Sequence, residues 1–368
     1  RGYDALQTGV ILLALAVGSF VAPGLGAPLS QRMGPVRVLQ LGMALHGAGQ
    51  RDEGIAHYRR ELAARPTDFA LATNLGALLQ DACDIDGAIE VFRQALVHEP
   101  KNFFAMNNIA IMLKERGEID ESVRLLRRCV ETSPNSPEIR SNLILTLHYD
   151  PTANADDLKA AHEGWNSRHA TPARAYVNLP EPGRRLRLGF VSPDLRDHDV
   201  GRALLPSFRR FDPERFELFC YGNTMADPIS EEFRARCHAW RELGTKTAEQ
   251  LAETILADGV DILIDLALHT SDNRLDVFAL KPAPLQVSWL GYPESSGLAT
   301  MDYRLTDAHL EPSTGNRLAH PHEQAWLLPD CWTCYEPPLG FPDVNASPAA
   351  SARPFTYGSF NNNCKING

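Results

Sequence analysis

The chain has 368 residues, which is enough for two or three domains. Its hydrophobic fraction of 44% and charged fraction of 22% are typical of a folded globular protein and exclude wholesale disorder. The 36 basic and 46 acidic residues give a net charge of −10, which disfavours general binding to the phosphates of DNA or RNA. A few cations and backbone amides could still bind an anionic small molecule locally.

The first 34 residues form an apolar segment of uncertain structure. Residues 9–29 contain no charged side chain. This run is compatible with a buried segment, with the core of a signal peptide or with a membrane anchor, although prolines and glycines from residue 23 onward interrupt any membrane span. We expect a cytoplasmic protein, while export or anchoring through residues 9–29 stays open.

The seven cysteines show no disulfide framework, which favours a reducing compartment. Cys331 and Cys334 form a lone CxxC without a second pair. We therefore predict structural cysteines and no metal site.

A repeat of 34 residues begins near residue 35. Pro66, Pro100 and Pro134 recur at that spacing. Aligned on these prolines, small residues share one column and aromatic or aliphatic residues share another: Gly54, Ala88 and Ser122, then Tyr58, Phe92 and Leu126. This period is the tetratricopeptide signature, in which each unit is a helical hairpin. The pattern predicts repeats over 35–68, 69–102 and 103–136, a fourth beginning at residue 137, and an α-superhelix over 35–150.

One repeat column is polar. Asn74, Asn108 and Asn142 occupy the same position in successive units. A side-chain amide both donates and accepts hydrogen bonds, so a row of them could bind the backbone of an extended peptide. Alternatively, these residues make local bonds between helices, and their spacing does not decide between the two roles.

The composition changes after residue 150. A predicted linker over 151–183 precedes short apolar runs that alternate with amphipathic stretches. The pattern predicts strands over 186–191, 216–221, 261–266, 285–290 and 303–305, and helices over 201–211, 230–240 and 247–258. This alternation predicts a parallel α/β domain over 184–335, which would bind its ligand beyond the carboxyl ends of the strands.

Several polar loops follow these strands. His198, flanked by Asp197 and Asp199, lies in the first of them, where an imidazole could accept a proton or orient a hydroxyl. Two further polar loops cover residues 269–274 and 291–297. No GxGxxG, P-loop, HExxH or GxSxG pattern is present.

Several motifs have a familiar combination and order. They are LRLGFVS at 186–192, FALKPAPLQVSWLGYP at 278–293, MDY at 301–303, and GSFNN at 358–362 followed by Lys365. Together with the repeats they resemble the protein O-linked N-acetylglucosamine (O-GlcNAc) transferases, in particular the bacterial tetratricopeptide-repeat type. The similarity extends from about residue 35 to the end of the chain.

The resemblance implies a glycosyltransferase of the two-lobed GT-B type, with a Rossmann-like lobe followed by a second lobe whose first strand lies within 336–368. Such an enzyme transfers N-acetylglucosamine from UDP-GlcNAc to Ser or Thr of proteins without a metal or other cofactor. The resemblance places His198 at the active site, Lys365 at the donor diphosphate and Asn362 near the nucleotide. It also implies that Asn74, Asn108 and Asn142 bind the acceptor peptide.

The chain departs from the family pattern at a few places. Gly201 and Arg202 stand where a second histidine is common, and Leu268 and Glu294 stand where glycine is usual. Most of the second lobe is absent from the sequence, so we expect an inactive, truncated chain. Two alternatives stay open: a protein O-fucosyltransferase that uses GDP-fucose, and a repeat module that binds proteins and retains a remnant catalytic lobe.

Overall fold

The structure is a computed structural model that describes residues 51–169, 176, 178, 181, 183–223, 226–311 and 322–337. The chain forms two compact units that divide between Arg116 and Gly117. The first contains four described helices: α1 (Arg51–Ala64), α2 (Phe69–Asp81), α3 (Ile85–His98) and α4 (Phe103–Arg116).

The second unit begins with three more helices and continues as an α/β domain. The helices are α5 (Ile119–Thr132), α6 (Pro137–Leu147) and α7 (Ala155–His169). The domain contains, in chain order, β1 (Leu186–Val191), α8 (Asp199–Phe208), β2 (Phe216–Gly222), α9 (Pro228–Arg236), β3 (Ala239–Glu242), α10 (Ala248–Asp258), β4 (Ile262–Asp265), α11 (Leu275–Ala279), β5 (Leu285–Ser288), β6 (Tyr303–Asp307) and β7 (Gln324–Leu328).

Side-chain caps and small residues explain the helices of the first unit. The Asp68 side chain accepts a hydrogen bond from the Leu71 amide and caps α2, and Asp84 caps α3 through the Gly87 amide. Gly76 packs so closely on Phe92 that an added Cβ would lie 2.4 Å from the ring. The predicted helical hairpins are thus confirmed for the described residues of this unit.

The segment predicted as a linker, 151–183, contains helix α7. The side chain of Trp165 on α7 is buried, and its indole nitrogen donates to the carbonyl of Pro137 at 3.3 Å. Trp165 and Ile144 of α6 lie in one apolar cluster with Val191 and Phe219 of the sheet. Helices α6 and α7 therefore share a core with the α/β domain.

The seven described strands form one parallel sheet in the order β3-β2-β1-β4-β5-β6-β7. The prediction of a parallel sheet is confirmed. The predicted helix over 230–240 is wrong at its end, because α9 stops at Arg236 and Trp240 lies in β3. Strand β7, at the other edge of the sheet, was not predicted.

No helix among the described residues has the length and apolar character needed to cross a membrane. Residues 9–29, for which export or anchoring stayed open, lie outside the described part of the chain.

Candidate active site

His198 lies where the sequence predicts it, beyond the carboxyl end of β1. It is the N-cap residue of α8. The preceding loop folds tightly against the first turn of this helix, and a Cβ on Gly201 would lie 2.1 Å from the carbonyl oxygen of Arg196. Glycine is therefore required at this position of the helix.

The neighbouring helix also holds this loop. The amide of Asp197 donates to Oδ2 of Asp227, the N-cap residue of α9, at 2.8 Å. Ser192 Oγ accepts from the amide of Asp194 at 3.0 Å. The backbone on both sides of His198 is thus fixed by hydrogen bonds.

One ring nitrogen of His198, Nδ1, takes part in the helix cap. Nδ1 accepts the amide hydrogen of Val200 at 3.3 Å, and the side chain is 40% exposed. Because Nδ1 acts as acceptor, a neutral ring carries its proton on Nε2. In this arrangement the ring can donate a hydrogen bond through Nε2, whereas accepting a proton at Nδ1 requires loss of the cap. Asp194 Oδ2, 3.8 Å from Nδ1, would then face the imidazolium.

Arg202 follows His198 by one helical turn and binds carboxylates of the same loop. Its Nε donates to Asp197 Oδ1 at 2.8 Å, and its guanidinium lies 3.9 Å from Asp199. Arg202 therefore contacts carboxylates on both sides of His198.

The loop after β4 contains a second, fully buried histidine. His269 Nε2 lies 2.8 Å from the carbonyl oxygen of Ser296, and Nδ1 lies 2.9 Å from Ser141 Oγ on α6. A carbonyl only accepts, so Nε2 carries the proton and Nδ1 accepts from the Ser141 hydroxyl. Burial lowers the pKa of His269 to about 3, and the bond to Ser296 opposes this shift. This neutral histidine connects α6 to two loops at the carboxyl edge.

A buried carboxylate completes this connection. Glu323 accepts hydrogen bonds from both the amide and the hydroxyl of Ser296. Its other oxygen lies 3.4 Å from the Ser288 hydroxyl at the end of β5. Glu323, the residue that precedes β7, thereby binds the loop over 291–297 through hydrogen bonds to Ser296.

Leu268 and Glu294, which stand where the resemblance implies glycine, line one small cavity at this edge of the sheet. Trp289 and Tyr292 also contribute to its wall. Leu268 has φ of 52°, a left-handed conformation that glycine adopts without strain. Glu294 Oε1 accepts from the amide of Ser295 at 3.0 Å.

The long motif at 278–293 builds the connection into β5. Lys281 forms an ion pair with Asp302 and donates to the carbonyl of Thr300 at 2.8 Å. The side-chain nitrogen Nε2 of Gln286 donates to the carbonyls of Phe278 and Thr300 at 2.9 and 3.0 Å. The sequence motif marked this segment as part of the resemblance, but it did not predict these hydrogen bonds.

The other predicted site residues belong to other segments of the chain. Asn362 and Lys365 lie outside the described residues. Asn74 and Asn108 are half-buried at equivalent positions of α2 and α4 in the first unit, and Asn142 is half-buried on α6 in the second. Asn74 Nδ2 donates to the carbonyl of Ala70 at 2.8 Å, a bond within its own helix.

Comparison with known families agrees with this architecture. Residues 163–327 match the family described as Glycosyl transferase family 41, and residues 105–133 match a tetratricopeptide repeat. A solved structure of a Thermobaculum terrenum O-GlcNAc transferase mutant superposes with a TM-score of 0.75 at 29% identity, covering 84% of this chain and 60% of that one.

Curated relatives extend beyond the chain. An Arabidopsis thaliana protein named "Probable UDP-N-acetylglucosamine--peptide N-acetylglucosaminyltransferase SPINDLY" is 32% identical over 241 residues, which are 63% of this chain and 26% of the relative. A Caenorhabditis elegans UDP-N-acetylglucosamine--peptide N-acetylglucosaminyltransferase is 38% identical over 135 residues, 35% of this chain and 12% of that protein. The chain thus spans about a quarter of the first relative's length.

These matches confirm the resemblance to the O-GlcNAc transferases: tetratricopeptide-like helical hairpins are followed by a parallel-sheet domain that is similar to glycosyl transferase family 41 over residues 163–327.

Proposed function

We propose that the chain is part of a protein O-glycosyltransferase that transfers N-acetylglucosamine from UDP-GlcNAc to Ser or Thr of acceptor proteins. The observation that carries this proposal is the family 41 match over 163–327, whose sheet presents His198 at its carboxyl edge. The names of the Arabidopsis and Caenorhabditis relatives support the donor and the peptide acceptor. We further propose that the protein acts in the cytoplasm.

The proposed catalytic residues divide the chemistry between them. As the sugar leaves, negative charge grows on the diphosphate, and a fixed ammonium stabilises that charge. We assign this role to Lys365 and assign Asn362 to the nucleotide. His198 supports transfer by orienting a reacting group through Nε2–H, the orientation that its bond to Val200 favours.

The proposed acceptor site is the column of Asn74, Asn108 and Asn142. The three residues are half-buried, and a side-chain amide is complementary to a peptide backbone, which offers one donor and one acceptor per residue. Replacing all three by Ala in the 368-residue chain should weaken binding of an extended acceptor peptide and leave helical circular dichroism intact. Gln94→Ala, which removes an exposed amide from α3, is the matched control. Unchanged affinity in the triple variant would leave these residues a structural role alone.

The donor is tested with the gene product that contains this chain. Purified protein and a peptide acceptor are incubated with radiolabelled UDP-GlcNAc or with radiolabelled GDP-fucose. Label transferred from UDP-GlcNAc alone supports the proposal, and label transferred from GDP-fucose alone assigns the chain to a fucosyltransferase. Peptide binding without transfer from either donor identifies a repeat module with a remnant lobe.

A further inference from the structure

A surface cavity lies at the amino ends of β1, β2 and β3, at the edge of the sheet opposite to His198. Arg185 and His238 directly precede β1 and β3, and Phe216 is the first residue of β2. With described residues at the end of α8 they line a cavity of about 430 Å³. Strand β2 has seven residues, so this cavity lies about 20 Å from the carboxyl edge. It is therefore separate from the candidate active site.

One wall of the cavity is aromatic. Phe208, the last residue of α8, is buried, whereas Phe211 and Phe216 are half-buried and pack against the same apolar cluster. The ring centroids of Phe211 and Phe216 lie 5.5 Å apart with their planes at 79°, which is an edge-to-face contact. A further flat ring placed in the cavity can extend this aromatic packing.

Basic side chains with unused hydrogen-bond donors form the opposing part of the wall. Arg236 is 45% exposed, and its Nε donates to Glu232 at 3.1 Å, while its two η nitrogens bind no described residue. Arg185 is also exposed, and one η nitrogen lies 2.5 Å from Glu217 Oε1. The exposed imidazole of His238 makes no hydrogen bond within the described part of the chain. These donors are available to a ligand.

The charges around the cavity favour an anion. Three carboxylates are shared among five guanidinium groups: Glu217 pairs with Arg185 and Arg187, Glu232 with Arg209 and Arg236, and Glu336 with Arg209 and Arg210. This network carries two more positive than negative charges. Asp212 and Glu214, on the loop between α8 and β2, are exposed and do not line the cavity. An anionic group in the cavity therefore meets a wall of net positive charge.

We propose that this cavity binds a small aromatic anion, in which a flat ring carries one carboxylate or phosphate group. The ring packs on Phe211 and Phe216, and the anionic group accepts hydrogen bonds from Arg236 together with Arg185 or His238. A guanidinium binds the oxygens of either group through charge-assisted hydrogen bonds. The volume of the cavity lies within the range of about 300–1,000 Å³ that is typical of small-molecule sites.

Three matched compounds test the chemistry of the ligand. The 368-residue chain is titrated in a calorimeter with naphthoate, naphthyl phosphate and naphthamide, which share the ring and differ in charge. We expect saturable binding of at least one anion, and at least about tenfold weaker binding of the neutral amide. The anion that binds more tightly identifies the anionic group. No saturable binding of either anion, or equal binding of the amide, would overturn the proposal.

Substitutions locate the bound anion. Arg236→Gln leaves Glu232 paired with Arg209 at 2.7 Å, so the fold should persist while the affinity for the anion falls about tenfold. Phe211→Leu keeps an apolar side chain but removes the ring, and should weaken binding about threefold. Arg60→Gln, which removes an exposed arginine of α1, is the matched control. Thermal midpoints establish that each variant is folded. Wild-type affinity in folded Arg236→Gln would place the anion elsewhere and refute the proposed site.

Discussion

Two histidines at the same edge of the sheet illustrate how surroundings decide a residue's role. His269 is fully buried with both ring nitrogens bonded, whereas His198 is 40% exposed and uses Nδ1 as a helix cap. His269 is suited to connecting the loops that it bonds, and the exposed ring of His198 is suited to contact with a bound molecule. Each leads to its own prediction.

His269 should make the protein sensitive to acid. Its folded-state pKa of about 3 lies below the ordinary value of 6.5, so between these pH values the unfolded chain binds a proton that the folded chain does not. The free energy of unfolding should therefore fall as pH decreases from 6.5 towards 3, by about 1.4 kcal/mol per pH unit from this group. Urea unfolding curves at several pH values measure the slope.

His269→Asn should flatten that slope, since it retains a donor and an acceptor but does not titrate. His238→Asn is the control, because His238 is exposed. Equal slopes for the wild-type and His269→Asn proteins would contradict the assignment.

His198 allows its structural and catalytic roles to be separated. His198→Ala removes the cap of α8 and should lower the free energy of unfolding by about 1 kcal/mol. His198→Asn keeps an oxygen that can accept from the Val200 amide, so its thermal midpoint should stay near that of the wild type. If the proposed function holds, both variants lose about a hundredfold or more in sugar transfer. Near wild-type transfer by the Asn variant would show that only the cap matters.

At the scale of elements, close contact between helices depends on single glycines. Gly76→Ala would place a Cβ 2.4 Å from the Phe92 ring, so the ring must move within a packed core. We expect a loss of about 1–3 kcal/mol in the free energy of unfolding. Combining Gly76→Ala with Phe92→Leu should recover part of the loss, and Ala77→Ser at the adjacent exposed position should have little effect. Additive losses in the double variant would exclude this steric contact as the cause.

The elements that sequence reasoning predicted are those with strong local patterns. β1, β2, β4 and β5 coincide with apolar runs because both faces of a central parallel strand are covered. β3 has only four residues, all half-buried, and its sequence AWRE shows no such run. β7 (QAWLL) contains a short apolar run, but it lies at the edge of the sheet with largely exposed side chains.

At the candidate site, too, the residues that follow a strong local pattern were predictable and those that depend on distant contacts were not. The loop that contains His198 follows directly from a predicted strand. The role of His269 depends on Ser141, which is 128 residues away in sequence, and no local pattern carries that information.

At the scale of the whole molecule, the proposed function assigns a catalytic role to Lys365, which lies outside the described residues. In the gene product that contains this chain, we expect Lys365→Ala to reduce transfer about a hundredfold or more, because loss of one charge-stabilising donor costs about 3 kcal/mol. Lys365→Arg should rescue poorly, since a planar guanidinium does not reproduce a compact ammonium. Transfer from radiolabelled UDP-GlcNAc measures both variants. Near wild-type turnover in Lys365→Ala, with the sheet domain folded, would reject this lysine as the phosphate ligand.

The core shared by α6, α7 and the sheet has a consequence for local opening. In an array of helical hairpins each unit is held only by its neighbours, so opening begins at the ends. Ile144 and Trp165 attach the last two helices to the interior of the sheet, which suppresses opening from that side. Amide hydrogens of α6 and α7 should therefore exchange with deuterium about as slowly as those of β1 and β4, and more slowly than those of α1. Exchange followed by mass spectrometry measures this gradient, and equally fast exchange in α7 and α1 would contradict it. The last two helices then unfold together with the interior of the sheet and not before it.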